Sequence, residues 1–276
     1  MKKRIFLPLV LMALLTMAAN AQKIAVAKGQ KLETVTTTKM SMELMGQNID
    51  NESSATNNVE VKEVNADGYV FANLIKRLTT KMNGMGQDIS FDSDKKEDLD
   101  GQIGQALKGK IGTVQQIQVD KKGKVMGTND TTAKDATGGM SDMMSMTGDV
   151  SKGQPYPYLI QLPGKNIKAG DTWTDSSGTP ATIKTVTTYT LKGVSADGAL
   201  VSFTGTLVKS GTIQQNGMEI QMDMSGTTTG EATYEASTGL LKTSASSSDI
   251  KGTMGIMGQN APLNATIKAN ITAKKL

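Results

Sequence analysis

The sequence predicts a mainly β protein of antiparallel curved sheets, half-barrel or barrel-like, in two related halves with one or two short helices. Three observations predict it: long runs that alternate with a period of two, glycine-containing turns between them, and a segment order that recurs along the chain.

The alternation begins where Met40, Met42 and Leu44 interleave with Lys39, Ser41 and Glu43. It returns at Tyr69–Leu78, Ile183–Leu191, Ala199–Leu207 and Met218–Met224. Near the C-terminus Leu263, Ala265, Ile267, Ala269 and Ile271 point one way, with Asn264, Thr266, Lys268, Asn270 and Thr272 between them. Such spacing gives strands one buried and one wet face. Turn residues punctuate the runs at Asn65–Gly68, Asp120–Gly123, Ala196–Gly198 and Ser237–Gly239, as an antiparallel meander requires. Val61–Asp92 and Leu191–Asp223 share one order: strand, Ala-Asp-Gly turn, strand, a loop containing Asn-Gly-Met, and an amphipathic strand.

Two stretches depart from this pattern. In Asp94–Gly109, Leu99, Ile103, Ala106 and Leu107 share a helical face, with Ser93 or Asp94 as candidate caps and Gly101 and Gly104 as weak points. Thr137–Asp149 is dense in methionine, and it leads into Gln154–Pro163, which its three prolines hold extended. Trp173 is read as a core anchor, with ligand stacking as the alternative. The resulting division is a signal peptide at 1–21, an N-terminal β half at 22–135 with a helix near 95–109, a Met- and Pro-rich connector at 136–164, and a C-terminal β half at 165–276.

The first residues have the three parts of a secretory signal. Lys2, Lys3 and Arg4 precede an apolar run over Ile5–Ala19, and Ala19-Asn20-Ala21 supplies the cleavage pattern. The run is too short for a stable membrane span, and no cysteine follows it for lipid attachment. The expectation is a soluble periplasmic or secreted protein cut near Ala21-Gln22, with no transmembrane segment in the mature chain. Those three basic residues also carry most of the net charge of +4, so the mature chain is nearly neutral and no nucleic-acid partner is expected.

The composition narrows the chemistry further. The chain has no His and no Cys, which removes Ser-His-Asp and Cys-His catalysis and the usual zinc, haem and iron–sulfur ligand sets. Aromatic platforms of the kind sugar-processing sites carry are scarce, and no nucleophile motif is present, so no enzyme and no cofactor is expected. Met140, Met143, Met144 and Met146 are candidate ligands for Cu(I), because thioethers are soft donors. Methionine as adaptable packing is the competing reading of the same residues. The acidic run Asp92, Asp94, Glu97, Asp98 and Asp100 lacks calcium-loop spacing and is read as a charged helix start.

Several segments resemble uncharacterised secreted β-proteins of Gram-negative envelopes, grouped as a domain of unknown function. They are Met45-Gly46-Gln47, Ile89–Ser93, Val119–Gly123, Leu162-Pro163 and Lys168–Trp173. The resemblance implies turn and core positions and no catalytic residues. A looser architectural similarity is to periplasmic lipoprotein carriers, whose curved half-barrel is covered by helices. The functional expectation is non-enzymatic binding of a hydrophobic small molecule or lipid-like ligand. The alternatives are a structural or interaction module with an envelope protein partner, and Cu(I) binding by the Met-rich loop.

Overall fold

In a computed structural model, the described residues are 26–44, 46–84, 86–107, 109–129, 150, 152–163, 167–178, 183–215, 218–256 and 259–276. The signal-peptide residues and Met140, Met143, Met144 and Met146 lie outside them.

The chain forms one large antiparallel sheet from β1 (Lys31–Leu44), β2 (Gln47–Val64), β3 (Gly68–Gly84), β4 (Gln87–Asp92), β5 (Val114–Asp120) and β6 (Val125–Thr128), continued by β7 (Thr172–Ser177), β8 (Lys184–Ser195), β9 (Gly198–Gln215), β10 (Met218–Tyr234), β11 (Leu241–Ile256) and β12 (Gln259–Lys275). The order across it is β6-β5-β3-β2-β1-β12-β11-β10-β9-β8-β7, with β4 also paired to β3. The expected curved antiparallel architecture is therefore present, and pairing of β1 with β12 makes its two halves one continuous sheet.

The predicted alternation sets the two faces. On β1, Leu32, Thr34, Thr36, Thr38, Met40 and Met42 are buried, while Lys39, Ser41 and Glu43 are exposed. The turn at Asn65–Gly68 closes as its residue types dictate: Asn65 Oδ1 accepts from the amides of Asp67 and Gly68 at 3.0 and 2.9 Å. Outward positions of β1, β2 and β12 carry Lys, Glu, Asn, Ser and Thr, a solvated face and not the apolar outer band of a membrane barrel.

The predicted helix is two pieces, α1 (Lys96–Asp100) and α2 (Gln102–Ala106). Gly101 between them is extended, at φ −74° and ψ 173°, and interrupts the helix at one of the predicted weak points. Neither candidate cap caps it; Ser93 Oγ instead accepts from the Leu78 amide at 2.9 Å. Leu99, expected on the buried face, is exposed, whereas Leu107 is buried with Ala55, Leu78 and Phe91.

The sheet curls until its two edges meet without joining. β6 and β7 share no backbone ladder, yet Lys124 beside β6 reaches Asp175 on β7 at 2.6 Å and donates to the Ser176 carbonyl at 2.9 Å. Ser177 Oγ also donates to Gln154 Oε1 at 2.7 Å. The twelve strands, with β4 and β5 sharing one side of β3, thus wrap an interior, with side chains bridging the seam.

One end of that interior is sealed by the Pro-rich segment. Tyr156 donates its amide to the Gly123 carbonyl at 2.7 Å, Leu241 donates to the Tyr158 carbonyl at 3.0 Å, and Ile160 donates to the Gly239 carbonyl at 2.9 Å. Tyr156 is 1% exposed, packed on Phe71 with ring centres 4.5 Å apart, and its hydroxyl donates to Asn73 Oδ1 at 2.8 Å. The other end is packed by Met42, Ile49, Leu263 and Ala265, joined by Met82, Met224 and Met254. These thioethers fill space among aliphatic chains, the role their flexibility suits.

Candidate ligand cavity

Between the 155–163 strap and the interior face of β7–β10 lies a cavity of about 620 Å³. Its wall is built by register. The β7–β8 ladder sets Trp173 opposite Tyr189, and the β8–β9 ladder sets Tyr189 opposite Phe203, so three aromatic side chains form one row across three strands. Trp173 and Tyr189 stack with ring centres 5.4 Å apart and planes 17° apart, and Phe203 follows at 6.2 Å and 51°. Next in the row, β10 supplies Gly230, and Phe203 lies over it; a Cβ there would stand 2.4 Å from the Phe203 ring. A side chain at 230 would push that ring out of its place.

The neighbouring row reads Asp175, Thr187, Gly205 and Thr228. It gives the cavity hydroxyls and one carboxylate beside the rings, and Gly205 lies on the floor, where a Cβ would stand 3.0 Å from Thr187 Oγ1. The chain has only one Trp, five Tyr and four Phe, and Tyr156, Trp173, Tyr189, Phe203 and Tyr234 all line this space. A concave site with an aromatic wall and few polar groups is the usual form of a small-molecule site. A depression of similar size, about 680 Å³, is lined by Lys39, Glu52, Lys81 and Asp88 together with Met40, Met82 and Ile89, and has no aromatic ring in its lining.

Burial governs the phenols. It raises the Tyr189 hydroxyl to about 12, with the Asp175 carboxylate adding to the rise and a hydrogen bond with Thr187 opposing it. Burial also raises Tyr234, reinforced by Tyr189. Both remain neutral hydrogen-bonding groups at ordinary pH. Deeper in the interior the hydroxyls of Thr34 and Thr36 are buried with no hydrogen-bond partner among the described residues.

The sequence-derived site residues fare unevenly. Trp173 packs against the Leu191–Val201 cluster, as a core anchor would, and also presents a face to the cavity. Three members of the acidic run are tied together locally: Asp92 and Asp94 pair with Arg77 at 2.8 and 3.0 Å, and Asp98 accepts from the Asp92 amide at 2.7 Å. That bond to Arg77 lowers the Asp92 carboxyl below its ordinary range. Among the described residues no acidic group is arranged to hold a metal ion, and no helix is long and apolar enough to cross a membrane. Tyr189, Phe203 and Tyr234 were not singled out by the sequence. The signal that could have found them is alternation, since each sits at an inward position of its strand.

Comparison with known proteins adds a family of unknown function (DUF6263), whose model matches residues 144–241. That stretch holds the strap and β7–β10, hence most of the cavity wall. No curated protein matches the chain. Among solved structures, lipovitellin, described for its lipid–protein interactions, is similar with a TM-score of 0.52 at 11% identity, over 91% of this chain. The chain spans 25% of lipovitellin's length, and the likeness concerns the fold. An outer membrane channel from Pseudomonas putida F1 gives 0.27 at 6% identity, covering 91% of this chain and 98% of that one.

Proposed function

We propose that the protein is a non-enzymatic binder of a hydrophobic, lipid-like ligand, exported by its N-terminal signal and held in the cavity beneath the strap. The observation that carries this reading is the row Trp173–Tyr189–Phe203, which with Tyr156 and Tyr234 brings five of the chain's ten aromatic residues to the lining of one space. Rings in a core normally pack against protein on both faces; a row facing a cavity gives an apolar ligand a stacking surface. Lipovitellin adds support by analogy, as a sheet of similar fold in a structure described for lipid contacts.

The sole tryptophan offers a direct test. Titrating the protein with diphenylhexatriene, a neutral apolar fluorophore, is expected to quench Trp173 emission by energy transfer that saturates. Replacing Gly205 with Leu is expected to weaken the probe about tenfold by filling the floor. Linear, unsaturated quenching that is the same in both proteins contradicts the reading and leaves a structural or interaction module.

A further inference from the structure

We infer that the ligand is an amphiphile with a single anionic head group, held at the β5–β6 turn by Lys122 and Lys124 while its tail lies along the aromatic row. This rests on the cavity being the ligand site, and it specifies what that site takes.

The charges around the cavity are few. The lining contains Lys122, Lys124 and Asp175 as its only charged residues. Lys124 and Asp175 neutralise one another at 2.6 Å, which leaves the Lys122 ammonium uncompensated; it is exposed, and no ion pair is recorded for it among the described residues. The remaining polar side chains of the lining are phenols, threonine and serine hydroxyls and the Gln161 amide, and burial keeps the Tyr189 and Tyr234 phenols neutral. Neutral hydroxyls repay the desolvation of an ionised head group less fully than an ammonium does, so such a group is favoured beside Lys122 and Lys124. A cationic head would meet two ammonium groups there and a carboxylate already in use. An anionic head meets a free ammonium and a second one shared with Asp175.

The turn that presents these lysines is fixed. Asp120 Oδ1 accepts from the amides of both Lys122 and Lys124 at 2.8 Å, so its carboxylate is spent on holding the turn. Gly123 sits between them at φ +82°, a conformation that favours glycine. Its carbonyl takes the Tyr156 amide at 2.7 Å, tying the turn to the strap that roofs the cavity. With Lys121 and Asp120 counted, the rim remains positive. A preset cationic turn beside an apolar slot fits a fatty carboxylate or an alkyl phosphate.

The test displaces diphenylhexatriene from the full-length protein with four C16 amphiphiles: hexadecanoate, hexadecyl phosphate, methyl hexadecanoate and hexadecyltrimethylammonium. The carboxylate or the phosphate is expected to compete at about tenfold lower concentration than the ester and the cation, with the gap shrinking in added salt. The order of the two anions tells which head group the site takes. Lys122→Gln, which keeps the Lys124–Asp175 pair, is expected to narrow the gap to about threefold or less. Equal displacement by ester and anion, or a gap that Lys122→Gln leaves untouched, overturns the head-group assignment while the cavity reading stands. Failure of the probe to bind at all overturns the cavity reading, and this inference with it.

Discussion

In the N-terminal part of the sheet the strand beside β3 is broken. β4 pairs with Thr79–Gly84 and β5 with Gly68–Leu74, and the chain between them folds into α1 and α2. In the C-terminal part the strand beside β9 is whole: β10 pairs from Met218 to Tyr234 without interruption. The consequences for the interior differ. The excursion brings Leu107 and Ile103 onto Ala55, Leu78 and Phe91, and that interior face is filled with the chain's own side chains. The uninterrupted side has no such helices among the described residues; the 155–163 strap lies over it, with Ile160 in the cluster on which Trp173 and Tyr189 pack, and Trp173, Tyr189 and Phe203 also line the cavity. Similar strand–turn–strand units therefore serve two ends. One half supplies a packed support, and the other lines a cavity.

This contrast separates stability from binding, and substitutions can break it. The largest effect is expected at Phe91→Ala, which removes a ring 3% exposed in the packed half. It should cost about 3–5 kcal/mol of stability, read by chemical denaturation, and leave probe affinity near wild type. A large loss of affinity at equal stability would show that the packed half also forms the site.

The opposite signature is expected at Phe203→Ala. Probe affinity should fall about tenfold, equivalent to about 1.4 kcal/mol, with a smaller change in denaturation midpoint because the ring already faces cavity. A midpoint loss as large as that of Phe91→Ala would mark Phe203 as packing.

A smaller effect concerns the hydroxyl of Thr34, which is 0% exposed and has no hydrogen-bond partner among the described residues. Thr34→Val keeps the shape and removes the unsatisfied group, so a gain of about 1 kcal/mol is expected. A loss would mean that this hydroxyl has a partner in solution, and ligand-dependent stability would then identify it.

The last effect is absent at neutral pH and appears only in alkali. Tyr189 is raised to about 12 in the folded protein against 10.0 for a free phenol. A folded value above the unfolded one means that its contribution is complete below pH 10 and is lost as pH rises towards 12. Tyr189→Phe should flatten stability across that window, measured by denaturation at stepped pH. An unchanged slope would show that Tyr189 is not the phenol responsible.

The fold was largely legible because strands with one wet face write it into the sequence. Lys39, Ser41 and Glu43 against Met40 and Met42, and Asn264 and Lys268 against Leu263 and Ala265, lie where alternation puts them. The turns read equally well, since Asn65 and Gly68 are chemically suited to the geometry they adopt. The site was not legible. Trp173, Tyr189 and Phe203 lie far apart in sequence and become one surface only through two strand registers, which no local pattern encodes. The helix boundary failed for a related reason: Leu99 has helical spacing, but the break at Gly101 leaves it outside the packed face.

The central claim is that the ligand lies in the C-terminal part of the interior. Photo-crosslinking the protein with a diazirine-bearing fatty acid, followed by peptide mapping, tests it most directly. The labels are expected in peptides carrying Trp173, Tyr189 and Phe203 and in the 155–163 strap, and to be competed away by unlabelled fatty acid. Competable labelling confined to the peptides around Phe91 and Leu107, or no competable labelling at all, would contradict it.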